Sequence, residues 1–360
     1  MANKVFFVIG IAVLLVLLVV LGQRFLAPRF DLPRDGDSEK ATVLLHDGEI
    51  VDLVQVVDDI NPVKGEFTTK EIEITDGVKH SVSLDDVLDG GPPRDGIPSI
   101  DDPKFISISE ADDVISNDLP GVAVSLDGID RFYPFDILVW HEIVNDMFNG
   151  KRVLVTYCPL CLSGIVFDPV VQGERVEFGT SGKLWNSNLV MYDRKTESLW
   201  SQVLGEAIVG DLTGTQLIVL PSDQVLYGKW KAVHPKGEVL SRETGIFKRY
   251  GIDPYGDYYT NNNQFIFSTD HTDSRLESKD FVLGIVVNGK AKAYYPPSIK
   301  MAGEIEDVFE GIAIIARYES NIDAVRLFEK RDDGTLRRIN PFGNFWFSWV
   351  AAHPETALYK

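Results

Sequence analysis

The first apolar run, Val5–Gly22, reads VFFVIGIAVLLVLLVVLG, eighteen residues without a charge. That length suits a helix crossing about 30 Å of hydrocarbon. A cleavable signal has a shorter apolar stretch and a small-residue cleavage site, whereas Gln23, Arg24 and Phe25 follow here. The pattern predicts an uncleaved signal anchor. Past a polar tether at Phe30–Lys40 the periodicity changes. Alternation at Lys70–Ile74 and Ser81–Leu84 predicts short strands. Gly90–Asp102, GGPPRDGIPSIDD, excludes helix and ladder alike and predicts an ordered loop or a linker. Tyr250–Asp273 is a polar, aromatic-studded loop expected to bridge two halves.

Those halves read as repeats. Asp127-Gly128, Tyr133-Pro134, Glu142, Asp146, Gly150 and Tyr157 find counterparts in Asn288-Gly289, Tyr295-Pro296, Glu304, Asp307, Gly311 and Tyr318. Each copy closes on Trp-x-x-x-His-Pro, at Trp230–Pro235 and Trp349–Pro354. So many anchors in order point to duplication. Within the first copy, Ile137, Leu138, Val144 and Met147 recur at helical spacing after Pro134 until Asn149-Gly150, predicting a helix. Arg152–Tyr157 predicts a strand, and Ile165–Asp168 with Val176–Phe178 a hairpin around Gln172-Gly173. The fold class is α+β, mainly antiparallel β, in two duplicated lobes after an N-terminal transmembrane helix. The boundaries are 1–29 for the anchor and flank, 30–118 for the tether and N-terminal segment, 119–249 and 282–360 for the lobes, and 250–281 for the connecting loop.

Composition narrows the partners. With 35 Lys+Arg against 54 Asp+Glu the net charge is −19, which repels phosphate backbones and excludes nucleic acid. The membrane, through residues 5–22, is the expected partner; the acidic remainder is expected outside the cytoplasm, on the cell membrane. Lys4 favours that orientation, and Arg24 and Arg29 oppose it. Two cysteines cannot form a disulfide framework.

The repeat then acts as an internal control on the chemistry. Cys158 and Cys161, in Tyr-Cys-Pro-Leu-Cys, align with Glu319 and Ile322, and His141 aligns with Gly303. The second copy also lacks some forty residues around Gly179–Gly210. Residues needed only to build the unit would recur, so any chemistry belongs to the first copy. Two thiols at this spacing share a metal or form a reversible disulfide, unless they are buried small hydrophobes or a static staple. Thiolate softness favours copper or zinc, with His141 as the completing ligand and His234 as a further candidate. A thioredoxin fold is disfavoured because no long helix follows the cysteines. A zincin is excluded because Asn145 stands where H-E-x-x-H needs its second histidine. Glu142 and Asp146, which recur, read as structural contacts. In the insert, Trp185, Asn186, Asn188, Asp193, Trp200 and Gln202 mix aromatic with hydrogen-bonding side chains. They suit a polar pocket for a sugar or small molecule, or a hairpin turned by Asp193–Glu197 with tryptophans in the core. Three functions stay open: metal binding, thiol–disulfide redox, and a ligand-binding or scaffold module of the envelope.

The segments GGPPRDGIPSIDDPKF, HEIVND, VLVTYCPLC, GKLWNSNLVMYDRKTESLWSQ, GEAIVGDLTG, YGIDPYGDYY and FWFSWVAAHPETALY resemble the domain-of-unknown-function family 3179, from Gly90 to the carboxyl end. The resemblance implies a membrane-anchored or secreted bacterial or archaeal protein and no defined activity. Glu197 departs from it, standing where the family usually has glycine.

Overall fold

The computed structural model describes residues 71–360. The apolar run at Val5–Gly22 and the tether lie outside these residues. Among the described residues no helix is long and apolar enough to cross a membrane. The described residues are mainly antiparallel β with five short α-helices among them, the longest of seven residues.

Two sheets share one strand order. Asp223–Leu226, Pro120–Leu126, Ile129–Pro134 and Glu238–Leu240 lie side by side, and Phe105–Ser107 adds an edge. Phe342–Phe345, Phe281–Val287, Lys290–Tyr294 and Ala357–Tyr359 repeat that order. In each, the one parallel pairing joins the strand after the Trp-x-x-x-His-Pro helix to the second hairpin strand. A second kind of sheet also occurs twice. Ile218–Val219, Ser163–Asp168, Lys151–Cys158 and Ile143–Phe148 match Leu336–Ile339, Ala324–Lys330, Ile312–Glu319 and Glu304–Phe309. The segment around Gly179–Gly210 forms a meander that completes a seven-stranded sheet with Glu73–Thr75, Val78–His80 and Val87–Asp89.

The helix expected from Pro134 to Met147 is a single turn, Phe135–Leu138, followed by the strand Ile143–Phe148. Asn149 and Gly150 both have positive φ, 45° and 83°, the requirement of a two-residue hairpin turn rather than a helix stop. The apolar spacing mimicked a helix because this strand is buried on both faces except at Met147, which points outward. Ser81–Leu84 likewise holds no strand; the strand ends at His80 and a 3₁₀ turn runs over Leu84–Asp86. The Gln172-Gly173 turn is present but joins shorter strands, Val170–Val171 and Glu174–Arg175.

Both predicted loops are ordered by what they cover. In Gly90–Asp102, Asp95 N–H donates to Thr180 O, Tyr192 OH donates to the Asp95 carboxylate, and Ile100 bridges Val144. Tyr250–Asp273 connects the strand ending at Leu240 to the one starting at Phe281. Its buried Tyr258 donates to Leu160 O at 2.9 Å, directly over the cysteine turn.

Candidate functional site

Cys158 ends one strand, Ser163 begins its antiparallel partner, and the two are register neighbours. Pro159–Leu162 closes the hairpin in a 3₁₀ turn, with Leu162 left-handed at φ 48°. The sulfurs lie 3.3 Å apart, and Cys161 Sγ is 3.3 Å from Ser187 O. Both cysteines are fully buried, packed with Ile143, Leu160, Tyr258, Phe345 and Phe347. The sheet of Glu304–Phe309 and Ile312–Glu319 builds the same loop without cysteines: Glu319 pairs with Ala324, and Asp323 is left-handed at φ 55°. The thiols are therefore not needed to shape the turn.

The two sulfurs are inequivalent. Burial pushes the Cys158 thiol well up, and Cys161 and Glu142 add to that. Burial acts the same way on Cys161, but Cys158, the Ser348 hydroxyl and the Asn188 amide outweigh it and hold this thiol below its ordinary value. Of the two, Cys161 ionises the more readily.

Three buried hydroxyls lie beside the pair: those of Ser163 and Ser187 have no hydrogen-bond partner among the described residues, and that of Ser348 meets the Cys161 sulfur. Ser163 faces Cys158 across the ladder, Ser187 carries the carbonyl that meets Cys161, and Ser348 favours the Cys161 thiolate. Buried hydroxyls of this kind are free to bind water or another small polar molecule.

Glu142 was missed by the sequence reading, which set it against Glu304. Backbone hydrogen bonds shift that register by one residue. Tyr157 N–H donates to Glu142 O, and Tyr318 N–H donates to Gly303 O, each at 2.7 Å. Glu142 thus occupies the Gly303 position, with φ 58° against 79°. Its carboxyl is buried, and burial alone raises its pKa from 4.5 to about 8. When ionised, this carboxylate raises both thiols and the Tyr255 hydroxyl. The sequence signal, had the register been right, was a carboxylate replacing a left-handed glycine in the copy that holds the cysteines. Asp146 and Asp307 do correspond: Tyr133 OH donates to the first and Tyr294 OH to the second, with Arg131 and Lys292 completing them.

His141 follows the one-turn helix rather than sitting inside one. Its Nδ1 donates to Pro98 O at 2.7 Å and its Nε2 accepts from Tyr250 OH at 2.6 Å, so the ring is the neutral Nδ1–H tautomer. Burial lowers its pKa in keeping with that, helped by Lys248. Both nitrogens are engaged away from the sulfurs. His234 stacks on Trp230 and meets Asp130 at 3.1 Å, in a cluster that contains neither cysteine. Among the described residues no three His, Cys, Asp or Glu side chains are grouped to hold a metal ion.

The insert residues Trp185, Asn186, Asn188, Asp193, Trp200 and Gln202 are all buried. The Asp193 carboxylate accepts from Lys195 N, Thr196 N, Thr196 Oγ1 and Trp200 Nε1, tying the turn together. Gln202 donates to Thr156 Oγ1 and Ser163 O and accepts from Asn188. Asn186 accepts from Asp270 N and donates to Ala351 O at 3.4 Å. Trp185 packs in the core with Trp346 and Trp349. Of the six, Asn188 reaches the thiols.

Residues 94–356 match the sequence profile described as "Protein of unknown function (DUF3179)". The chain belongs to the DUF3179 family. No curated protein and no solved structure matches it. Glu197, the departure from the usual DUF3179 glycine, is left-handed at φ 62° and exposed, and pairs with Arg94 at 3.3 Å. A separate cavity of about 320 Å³, lined by Asp223, Lys300, Arg326, Arg338 and Pro341, borders neither cysteine.

Proposed function

We propose that this DUF3179 protein is a thiol-redox protein whose Cys158 and Cys161 cycle between dithiol and disulfide, with Glu142 as the nearby proton-exchange group. The observation that carries the reading is the sulfur pair at 3.3 Å beside a carboxyl held neutral in a position the fold fills elsewhere with glycine. Closing the disulfide needs only a small approach to about 2.05 Å. A thiol that ionises readily beside one that holds its proton is the pairing that exchange uses.

The test is a redox titration of the full chain, quenched with acid and read by thiol alkylation and mass. A single two-electron transition confined to Cys158 and Cys161, absent from Cys158→Ser, supports the reading. Thiols that stay reduced across the whole range of buffered potentials would end it.

Metal retention through the same two sulfurs, copper or zinc, is the second reading, supported by thiolate softness. His141 would have to give up Tyr250 to join. Metal analysis of untagged protein after reconstitution under reducing conditions decides it, with stoichiometric retention lost in Cys161→Ser favouring metal. An envelope ligand site built on Trp185 and its neighbours is the reading that wins if Trp185→Ala abolishes function while removal of both cysteines does not. The paired sheet orders support an origin by duplication. The Val5–Gly22 run supports a single-pass cell-membrane anchor, with the described region outside the cytoplasm. Protease treatment of intact cells that spares this region would overturn the orientation.

A further inference from the structure

We infer that the oxidant this dithiol takes is a small hydroperoxide, received beside the thiol pair by the buried hydroxyls of Ser163, Ser187 and Ser348. The inference rests on the dithiol reading above and adds a substrate class to it.

Access comes first. Cys158 is 1% and Cys161 0% exposed, beneath Leu160, Tyr258, Phe345 and Phe347. Exchange with a protein disulfide needs the incoming sulfur in line with the attacking one. A folded partner cannot deliver a disulfide to that depth, whereas a molecule of a few atoms needs only a brief opening. The second constraint is polarity. Ser163 and Ser348 are 0% and Ser187 1% exposed; the Ser163 and Ser187 oxygens have no hydrogen-bond partner among the described residues, and the Ser348 hydroxyl is turned to the Cys161 sulfur. Three hydroxyls donate to and accept from the two oxygens of a peroxide; an apolar oxidant would leave those of Ser163 and Ser187 orphaned.

The step balances within the site. The Cys161 thiolate attacks the distal oxygen of ROOH, the O–O bond breaks, and Cys161 becomes a sulfenic acid, losing two electrons. The departing alkoxide takes the Glu142 proton and leaves as ROH. The Cys158 sulfur then attacks the Cys161 sulfur. The S–S bond forms, and the hydroxyl leaves as water with the Cys158 proton. The neighbouring thiol thereby removes the sulfenic acid before a second oxidation reaches it. A small-molecule dithiol, admitted by the same brief opening, returns the pair to its reduced state and is itself oxidised to a disulfide.

The experiment mixes the reduced full chain with hydrogen peroxide, tert-butyl hydroperoxide or glutathione disulfide and follows loss of two hydrogens by intact mass. We expect peroxide to oxidise the pair about a hundredfold faster than free cysteine, the scale that positioned proton transfer supplies. Ser348→Ala and Ser163→Ala should each slow it about tenfold, the effect of losing one hydrogen bond of about 1.4 kcal/mol. Cys158→Ser should stop at a sulfenic acid trappable with a cyclic 1,3-diketone. If glutathione disulfide oxidises the pair faster than either peroxide, or the serine variants react unchanged, the hydroperoxide assignment falls while the dithiol reading stands. If no oxidant closes the disulfide, both fall.

Discussion

Glu142 stands where the second pair of sheets has Gly303, its carbonyl accepting from Tyr157 as that of Gly303 accepts from Tyr318. The position is left-handed, which disfavours any residue with a Cβ by roughly 1–2 kcal/mol. Placing a carboxyl there adds a second burden, because burial holds it protonated up to about pH 8. Both burdens fall in the copy that carries Cys158 and Cys161. Glycine meets the folding role at the matching place, which leaves the carboxyl free for the thiol chemistry proposed above.

Glu142→Gly should therefore make the protein more stable. Relief of the left-handed strain is worth about 1 kcal/mol, or a rise in Tm of about 2–4 °C for a domain of this size. A lowered Tm would mean that Glu142 anchors the turn, and its assignment to the thiol chemistry would fail.

The pH dependence of stability gives a second check. The folded pKa of Glu142, about 8, lies above its ordinary 4.5, so between these values the native state holds a proton that the unfolded chain has released. The contribution is fully present below about pH 4.5 and is lost as pH rises toward about 8. We expect the wild-type Tm to fall across that window relative to Glu142→Gln, whose neutral amide carries no such term. Parallel Tm curves for the two proteins would place the carboxyl in water.

Much of the fold was legible in the sequence because turns and strand alternation are local. Asp127-Gly128, Gln172-Gly173 and Asn288-Gly289 sit in turns with positive φ, as their residue types require. The helix over Pro134–Met147 was misread because a strand buried on both faces loses its period of two, and periodicity alone then cannot separate it from a buried helix. The thiol pair was legible from spacing. The buried state of Glu142 was not, since a one-residue slip in the repeat register hid it behind the exposed, ion-paired Glu304. The partners of His141 lie at Pro98 and Tyr250, separations that no local pattern encodes.

Asp193 separates a core role from a pocket role for the insert. Its carboxylate is fully buried and accepts four hydrogen bonds, including 2.9 Å from Trp200 Nε1. Asp193→Ala leaves those donors without a partner, and a loss of about 3–5 kcal/mol is expected from breaking a buried charged network. Chemical denaturation measures it. A near-neutral effect would show that the turn holds itself and would reopen the pocket reading of Trp185, Asn186 and Asn188.

The cover over the thiols gives the last prediction. Tyr258 is fully buried, donates to Leu160 O between the two cysteines, and has Lys279 Nζ 3.3 Å from its ring centre. Burial lowers Lys279 to about 8, with Asp257 opposing, so this cation has given up water to sit on the loop. Tyr258→Phe keeps the ring and the cation contact and deletes only the bond to Leu160, which is worth about 1 kcal/mol. If the loop gates the sulfurs, the open fraction rises about fivefold, since 1.4 kcal/mol is a factor of ten. The alkylation rate of the reduced protein by a small iodoacetamide, followed well below the unfolding transition, should rise by the same factor. Cys161 should react first because it is the better thiolate. An unchanged rate in Tyr258→Phe would mean that reagents reach the sulfurs by another route, and the loop would lose its role as the entrance.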